Sequence, residues 1–73
     1  MADTPKQAEV RFIIQGLLAK GIKPTPTELA KWGVPTGRQN GGPTLRGDLA
    51  SIRQEEFERA GWVTGKNGRW EKP

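Results

Sequence analysis

The sequence contains neither cysteine nor histidine. The lack of cysteine excludes disulfides, thiolate nucleophiles and cysteine-ligated zinc, and the lack of histidine removes the commonest metal ligand and general base. The glycines between positions 33 and 42 also miss the Gly-x-x-x-x-Gly-Lys-Ser/Thr spacing of a phosphate-binding loop. We therefore expect a binding protein with no enzymatic activity, no metal and no cofactor.

Long apolar segments are missing as well. No stretch approaches the roughly 20 apolar residues of a membrane span, and the first residues lack the basic and apolar regions of an export signal. The sequence therefore predicts an intracellular, cytoplasmic protein with no membrane partner. Its 73 residues predict a single domain over 1–73, because chains below about 70–80 residues form only a thin core.

The composition has an excess of positive charge. The chain has 12 lysines and arginines against 8 aspartates and glutamates, which gives a formal net charge of +4. A basic surface suits an anionic polymer such as DNA, but the same charge also keeps a small domain soluble. The net charge alone therefore does not decide between these two interpretations.

Two capping signals predict the starts of the first two helices. Residues Thr4 to Gln7 place a hydroxyl, a proline and an amide at the offsets of a capping box, and apolar residues then recur at helical spacing until Gly21. Residues Thr25 to Glu28 repeat the hydroxyl, the proline and an acceptor side chain. The pattern predicts helices over about residues 5–20 and 26–32.

The second half of the chain predicts a loop, a third helix and a hairpin. Residues 33–43 hold four of the ten glycines and two of the six prolines, so we expect no regular structure there. Apolar residues at helical spacing then predict a helix over about residues 43–60. The Asn-Gly pair at residues 67 and 68 predicts the turn of a hairpin over about residues 61–71, which should pack on the helices through Val63 and the tryptophans.

The predicted order of elements is that of a mainly α fold with a small β-hairpin, a three-helix winged helix-turn-helix. The segments 17–21, 23–30, 49–52 and 60–63 resemble the winged helix-turn-helix of LexA-type repressors, and the Gly-x-x-Pro-Thr segment at 21–25 is similar to plasmid KfrA-type DNA-binding domains. The resemblance implies a bacterial, phage or plasmid regulator of transcription or of replication and partition. The long glycine- and proline-rich loop departs from that family. No further domain is expected after the hairpin within these residues, which suggests an accessory regulator or an excised domain.

In this architecture the start of the third helix lies in the major groove of duplex DNA, and the hairpin reaches the backbone or the minor groove. Arginine is suited to guanine, asparagine and glutamine to adenine, and threonine to phosphate. Each candidate also fits an ordinary polar loop or a charged hairpin tip, and that alternative stays open. The predicted DNA-binding residues are Thr36, Arg38, Gln39, Asn40, Thr44 and Arg46 near the helix start, and Lys66, Asn67 and Arg69 in the hairpin.

The charge of the third helix favours a second hypothesis. Residues 48–60 carry four acidic and two basic side chains, and Glu55 and Glu58 lie on the face opposite the apolar stripe, where they would repel phosphates. A protein partner bound through this acidic face of helix 3 is therefore the alternative to DNA, and a homodimer also stays open.

The remaining basic residues and the tryptophans also receive assignments. Trp32 and Trp62 are expected in the core or at its edge, and Trp70 in strand packing or a dimer contact. A solubilising face is predicted for Lys6, Arg11, Lys20, Lys23 and Lys31, although Lys23 and Lys31 flank the second helix and could contact phosphate.

Overall fold

The computed structural model describes residues 3–39, 42–65 and 69–72. Within these residues the chain forms three helices and two antiparallel hairpins, so the predicted fold class, mainly helical with a small hairpin, is confirmed. No helix in this described part is both long and apolar enough to cross a membrane. The elements in chain order are α1 (Pro5–Ala19), α2 (Pro26–Lys31), β1 (Gly37–Gln39), β2 (Gly42–Thr44), α3 (Gly47–Arg59), β3 (Val63–Thr64) and β4 (Trp70–Glu71).

Helix α1 begins and ends where its local signals place it. The Thr4 hydroxyl accepts a hydrogen bond from the Gln7 backbone N–H at 3.2 Å, and the Gln7 side chain accepts one from the Thr4 N–H at 3.0 Å. This is the predicted capping box. After the last turn, Gly21 adopts a φ of 75°, a left-handed conformation that favours glycine.

Helix α2 is capped as predicted but leaves its tryptophan outside the core. The Thr25 hydroxyl accepts from the Glu28 N–H at 3.1 Å, while the Glu28 carboxylate accepts from the Trp32 indole N–H at 3.3 Å. Leu29 and Val34 fill the core beside this helix of six residues, and Trp32 stays 52% exposed. The prediction that Trp32 packs in the core or at its edge is therefore wrong.

The loop predicted over residues 33–43 is also wrong in part, because residues 37–39 and 42–44 form two antiparallel strands. Its register pairs Gly37 with Thr44, Arg38 with Pro43 and Gln39 with Gly42. Pro43 is tolerated here because each strand of a two-stranded sheet has an unpaired edge that needs no N–H donor. Helix α3 accordingly begins at Gly47 rather than near residue 43, with Arg46 as its N-cap residue.

The core lies mainly between α1 and α3, which form the largest contact between elements. Apolar side chains recur on one face of each helix, so that packing the two faces together removes both from water. Ile13, Leu18 and Leu45 are partly buried around this cluster. The buried members are Val10, Ile14, Leu17, Leu29, Val34, Leu49 and Ile52.

The second hairpin is held to α3 by aromatic packing. The ring of the fully buried Phe57 lies 5.0 Å from that of Trp62 and is stacked on that of Trp70 at 4.9 Å. The tryptophans therefore anchor the hairpin as predicted, and Trp70 takes the strand-packing role. Val63 does not, since it is 52% exposed.

Candidate nucleic-acid interface

Helix α3 presents a polar face to solvent on the side away from its buried stripe. Gly47, Ser51, Gln54 and Glu58 follow one another at spacings of four, three and four residues, and all four are exposed. Residues at these spacings lie on one side of an α-helix. The first two turns of this face carry no charge, and its acidic residue, Glu58, lies near the C-terminal end.

Four of the six arginines are engaged within the protein, beginning with Arg11. Its guanidinium lies 2.7 Å from Asp3, 2.6 Å from Glu56 and 3.4 Å from Glu55. The hydrogen bonds to Asp3 and Glu56 raise the pKa of Arg11 further above its ordinary value. The prediction that Arg11 belongs to a solubilising face is wrong, because this side chain joins α1 to α3.

Glu56 is the buried carboxylate that these contacts neutralise. It is 2% exposed and accepts hydrogen bonds from Arg11 and, at 3.1 Å, from the Gln15 amide. Arg59 lies 3.2 Å away on the same helix. The buried negative charge on α3 is thus paired with two guanidinium groups, as a charge in a protein interior requires.

Arg46, one of the predicted base readers, already binds an acidic neighbour. It donates to both carboxylate oxygens of Asp48, at 3.2 and 2.9 Å, and the Gln7 amide donates to the same carboxylate at 3.0 Å. The Arg46 and Gln7 hydrogen bonds hold the pKa of Asp48 well below its usual range. Arg46 is still exposed to solvent, but a phosphate would have to compete with Asp48 for it.

This cluster predicts a pH-dependent contribution to stability. A carboxyl with a depressed pKa in the folded state stabilises the protein above its ordinary pKa of about 3.9, and this contribution is lost as the pH falls through the lower folded value. We expect Asp48→Asn to be less stable than the parent in urea unfolding at pH 7, and the difference to shrink below about pH 4. The control Glu58→Gln removes an exposed carboxylate, and an equal loss in both variants would contradict the assignment.

Arg38 and Arg69 differ from the other arginines. Both are exposed, and within the described ranges neither pairs with a carboxylate. Arg53, by contrast, is half-buried and donates to the Pro24 carbonyl at 3.3 Å. Arg38 lies on the hairpin that precedes α3, and Arg69 on the hairpin that follows it. A helix of 13 residues is about 20 Å long, so chain connectivity places these hairpins at its two ends.

Sequence reasoning gave the right residue types but the wrong element for several candidates. The residues predicted at the start of the third helix precede that helix, mostly on the first hairpin, because residues 37–39 and 42–44 form strands. The placements are as follows: Thr36 lies just before β1, Arg38 and Gln39 on β1, Thr44 on β2, Arg46 at the N-cap of α3 and Arg69 just before β4. Asn40, Lys66 and Asn67 lie outside the described residues.

Comparison with known proteins adds no identification. No family model, no curated protein and no solved structure matches this chain. The similarity to LexA-type and KfrA-type domains therefore stays a prediction.

Two residues of the candidate interface were not predicted, Ser51 and Gln54. Both are exposed on α3, and Gln54 lines a shallow depression between the helix and the second hairpin together with Trp62 and Trp70. Their helical spacing from Gly47 was visible in the sequence. It was passed over because the same face ends in an acidic residue.

Proposed function

We propose that the protein binds double-stranded DNA, with the outward face of α3 in the major groove and the two hairpins on the flanking backbone or minor groove. The observation that supports this most directly is that the arginines differ in whether they pair with a carboxylate. Arg11, Arg46 and Arg59 contact carboxylates, whereas Arg38 and Arg69 extend into solvent on the hairpins at either end of α3. Arginine binds phosphate or guanine in a bidentate manner, which suits both positions.

The shape of α3 fits this role. The major groove of B-DNA is about 12 Å wide and admits one α-helix. Gly47 and Ser51 are small enough for close approach of the helix backbone, and the Gln54 amide can pair with adenine or with a phosphate oxygen. Glu58 disfavours insertion of the last turn, so the first two turns would lie deepest.

The acidic side chains of α3 oppose DNA binding less than the sequence of the helix suggests, because most of them are paired with arginine. Glu55 and Glu56 lie against Arg11, and Asp48 lies against Arg46. In the described part of the chain, Glu58 is the only acidic side chain of α3 without a basic partner. The alternative of a protein partner on an acidic face therefore has little unpaired charge to use, and the electrostatics favour DNA.

The biological role in this proposal follows the resemblance. The chain would act as a cytoplasmic regulator of transcription or of replication and partition, as LexA-type and KfrA-type proteins do, and it would have no catalytic step. Binding rather than chemistry would be its whole activity.

Duplex titrations test the proposal. Fluorescence anisotropy with a labelled duplex at several salt concentrations between about 50 and 200 mM should show a log-log slope near −0.9 for each phosphate neutralised. Arg38→Ala and Arg69→Ala should each weaken binding by about 1–3 kcal/mol if they contact bases, or lower the slope by about one if they contact phosphate. Lys6→Ala is the matched control, since it removes one exposed charge on α1.

Two results would count against the proposal. Duplex affinity that does not change with salt would exclude an interface built on phosphate contacts. Losses in both arginine variants that are no larger than that of Lys6→Ala would remove the hairpins from the interface and leave only the effect of net charge.

A further inference from the structure

Helix α1 exposes an apolar surface that the proposed DNA interface does not use. Phe12 is 76% exposed, the highest value among the large apolar side chains of the described residues. Beside it, Gly16, Lys20 and Trp32 form part of a shallow apolar groove of about 170 Å³, whose floor includes Leu17. We call Phe12, Gly16, Lys20 and Trp32 the α1 face.

Exposed apolar side chains that are contiguous mark an interaction site more often than single exposed apolar side chains do. Phe12 has no role in the core, since Val10, Ile14 and Leu17 fill the opposite side of α1. Trp32 adds a second ring that is half exposed, with Lys20 Nζ 5.9 Å from its centroid. The α1 face thus places two exposed aromatic rings at one apolar groove, with the basic Lys20 beside Trp32.

We propose that a second copy of this chain covers the α1 face, with the two α1 helices antiparallel about a two-fold axis. The face is self-complementary, because it carries both a protrusion and a recess. Phe12 projects from α1, and one turn later Gly16 leaves open space, since a Cβ added there would meet no atom within 4 Å. A two-fold axis passing between the two positions places Phe12 of each copy on Gly16 of the other, as an isologous interface requires.

Charge complementarity selects the antiparallel orientation. In the pairing that sets Phe12 on Gly16, Glu9 of one helix lies within one residue of the position opposite Lys20 of the other. Glu9 is exposed, and its ion pair with Lys6 on the same helix is long, at 3.8 Å. A parallel arrangement would instead bring Glu9 against Glu9 and Lys20 against Lys20, and like charges across an interface oppose association.

The size of the α1 face determines how strong the dimer is. From their exposed fractions, Phe12 and Trp32 together offer on the order of 200–300 Å² of aromatic surface per copy. Stable interfaces bury about 800 Å² per partner, so the two rings alone are too small and the contact must also include the remaining α1 face and the facing Glu9 and Lys20 side chains. We expect a weak dimer that forms only at high protein concentration, and a neighbouring copy bound to the same polymer would reinforce it.

Sedimentation velocity between about 10 µM and 1 mM, without DNA, tests this directly. The parent should shift from monomer to dimer across this range. Phe12→Ser and Gly16→Leu should remain monomeric, the first by removing the protrusion and the second by filling the recess. Val63→Ser is the matched control, because it changes a similarly exposed apolar side chain on the second hairpin. Circular dichroism melts establish that each variant is folded.

Variants with reversed charges test whether the partner on the α1 face is a second copy of this chain. Glu9→Lys and Lys20→Glu should each abolish the dimer, and the double variant should regain it, because each reversed charge then faces an opposite one. A parent that stays monomeric at 1 mM, a dimer that survives Phe12→Ser, or a double variant no better than the singles would overturn the proposal. The readout contains no DNA, so its failure is distinct from failure of the proposed function.

Discussion

Replacing Phe57 with alanine should cost about 3–5 kcal/mol of unfolding free energy, the usual range for a phenylalanine removed from a packed core. The side chain has no exposed surface, and the rings of Trp62 and Trp70 lie within 5.0 Å of it on the hairpin side. The total stability of 73 residues is on the order of 4–11 kcal/mol. Urea unfolding followed by tryptophan fluorescence should therefore show a midpoint at clearly lower denaturant than that of the parent. If the parent lies at the low end of that range, the variant should be close to half unfolded without denaturant.

Phe12→Ala is the matched control for this experiment. It makes the same chemical change at a ring that is exposed, so its effect on stability should stay within about 0.5 kcal/mol at concentrations where the protein is monomeric. In Phe57→Ala the emission of Trp62 and Trp70 should also move to longer wavelength, because both rings lose their contact. Equal losses in the two variants would show that Phe57 does not anchor the hairpin.

Local signals predicted the fold best where the interactions themselves are local. The cap of α1 depends on Thr4 and Gln7, which are three residues apart, and the helix is closed by a glycine next to its last turn. Sequence periodicity then shows which side of the helix is apolar. Such features require no knowledge of the rest of the chain.

The first hairpin was missed although its signal was present. In the sequence, an Asn-Gly pair stands between the residues of β1 and β2, at positions 40 and 41, as another stands between those of β3 and β4, at positions 67 and 68. The density of glycine and proline nearby, including Pro43 inside β2, favoured an irregular loop instead. A strand of three residues is too short for alternation to reveal it, so turn chemistry was the better guide here.

The roles of the charged residues could not be predicted, because their partners are remote in sequence. Arg11 binds Glu55 and Glu56 across 44 and 45 positions. Local patterning placed Arg11 on a solvated face, treated Glu55 as repulsive to DNA and counted Glu56 only in the acidic charge of the helix. Only the packing of α1 on α3 brings these groups together. Among the described residues, it leaves Arg38 and Arg69 as the exposed arginines that pair with no carboxylate.

That same contact gives the second large effect. Arg11→Met should destabilise the protein by up to about 3–5 kcal/mol, the cost of leaving a buried charge unpaired, because it removes the closest partner of the Glu56 carboxylate. The remaining contacts of Glu56 with Arg59 and Gln15 reduce this cost. Methionine keeps much of the volume and apolar character of the arginine stem, so the loss reports mainly on charge. Urea unfolding at pH 7 gives the value, and Arg59→Met, whose side chain is mostly exposed, should cost no more than about 1 kcal/mol.

A double variant distinguishes a buried charge from a lost contact. Replacing a buried ion pair with apolar residues of similar volume is often neutral, since desolvation of the two ions offsets their attraction. Arg11→Met combined with Glu56→Leu should therefore recover most of the stability that Arg11→Met loses. If the double variant is no more stable than the single one, the lost stability comes instead from the contacts of Arg11 with Asp3 and Glu55. Arg11 would then hold α1 to α3 through these contacts, and neutralising the buried Glu56 carboxylate would matter less.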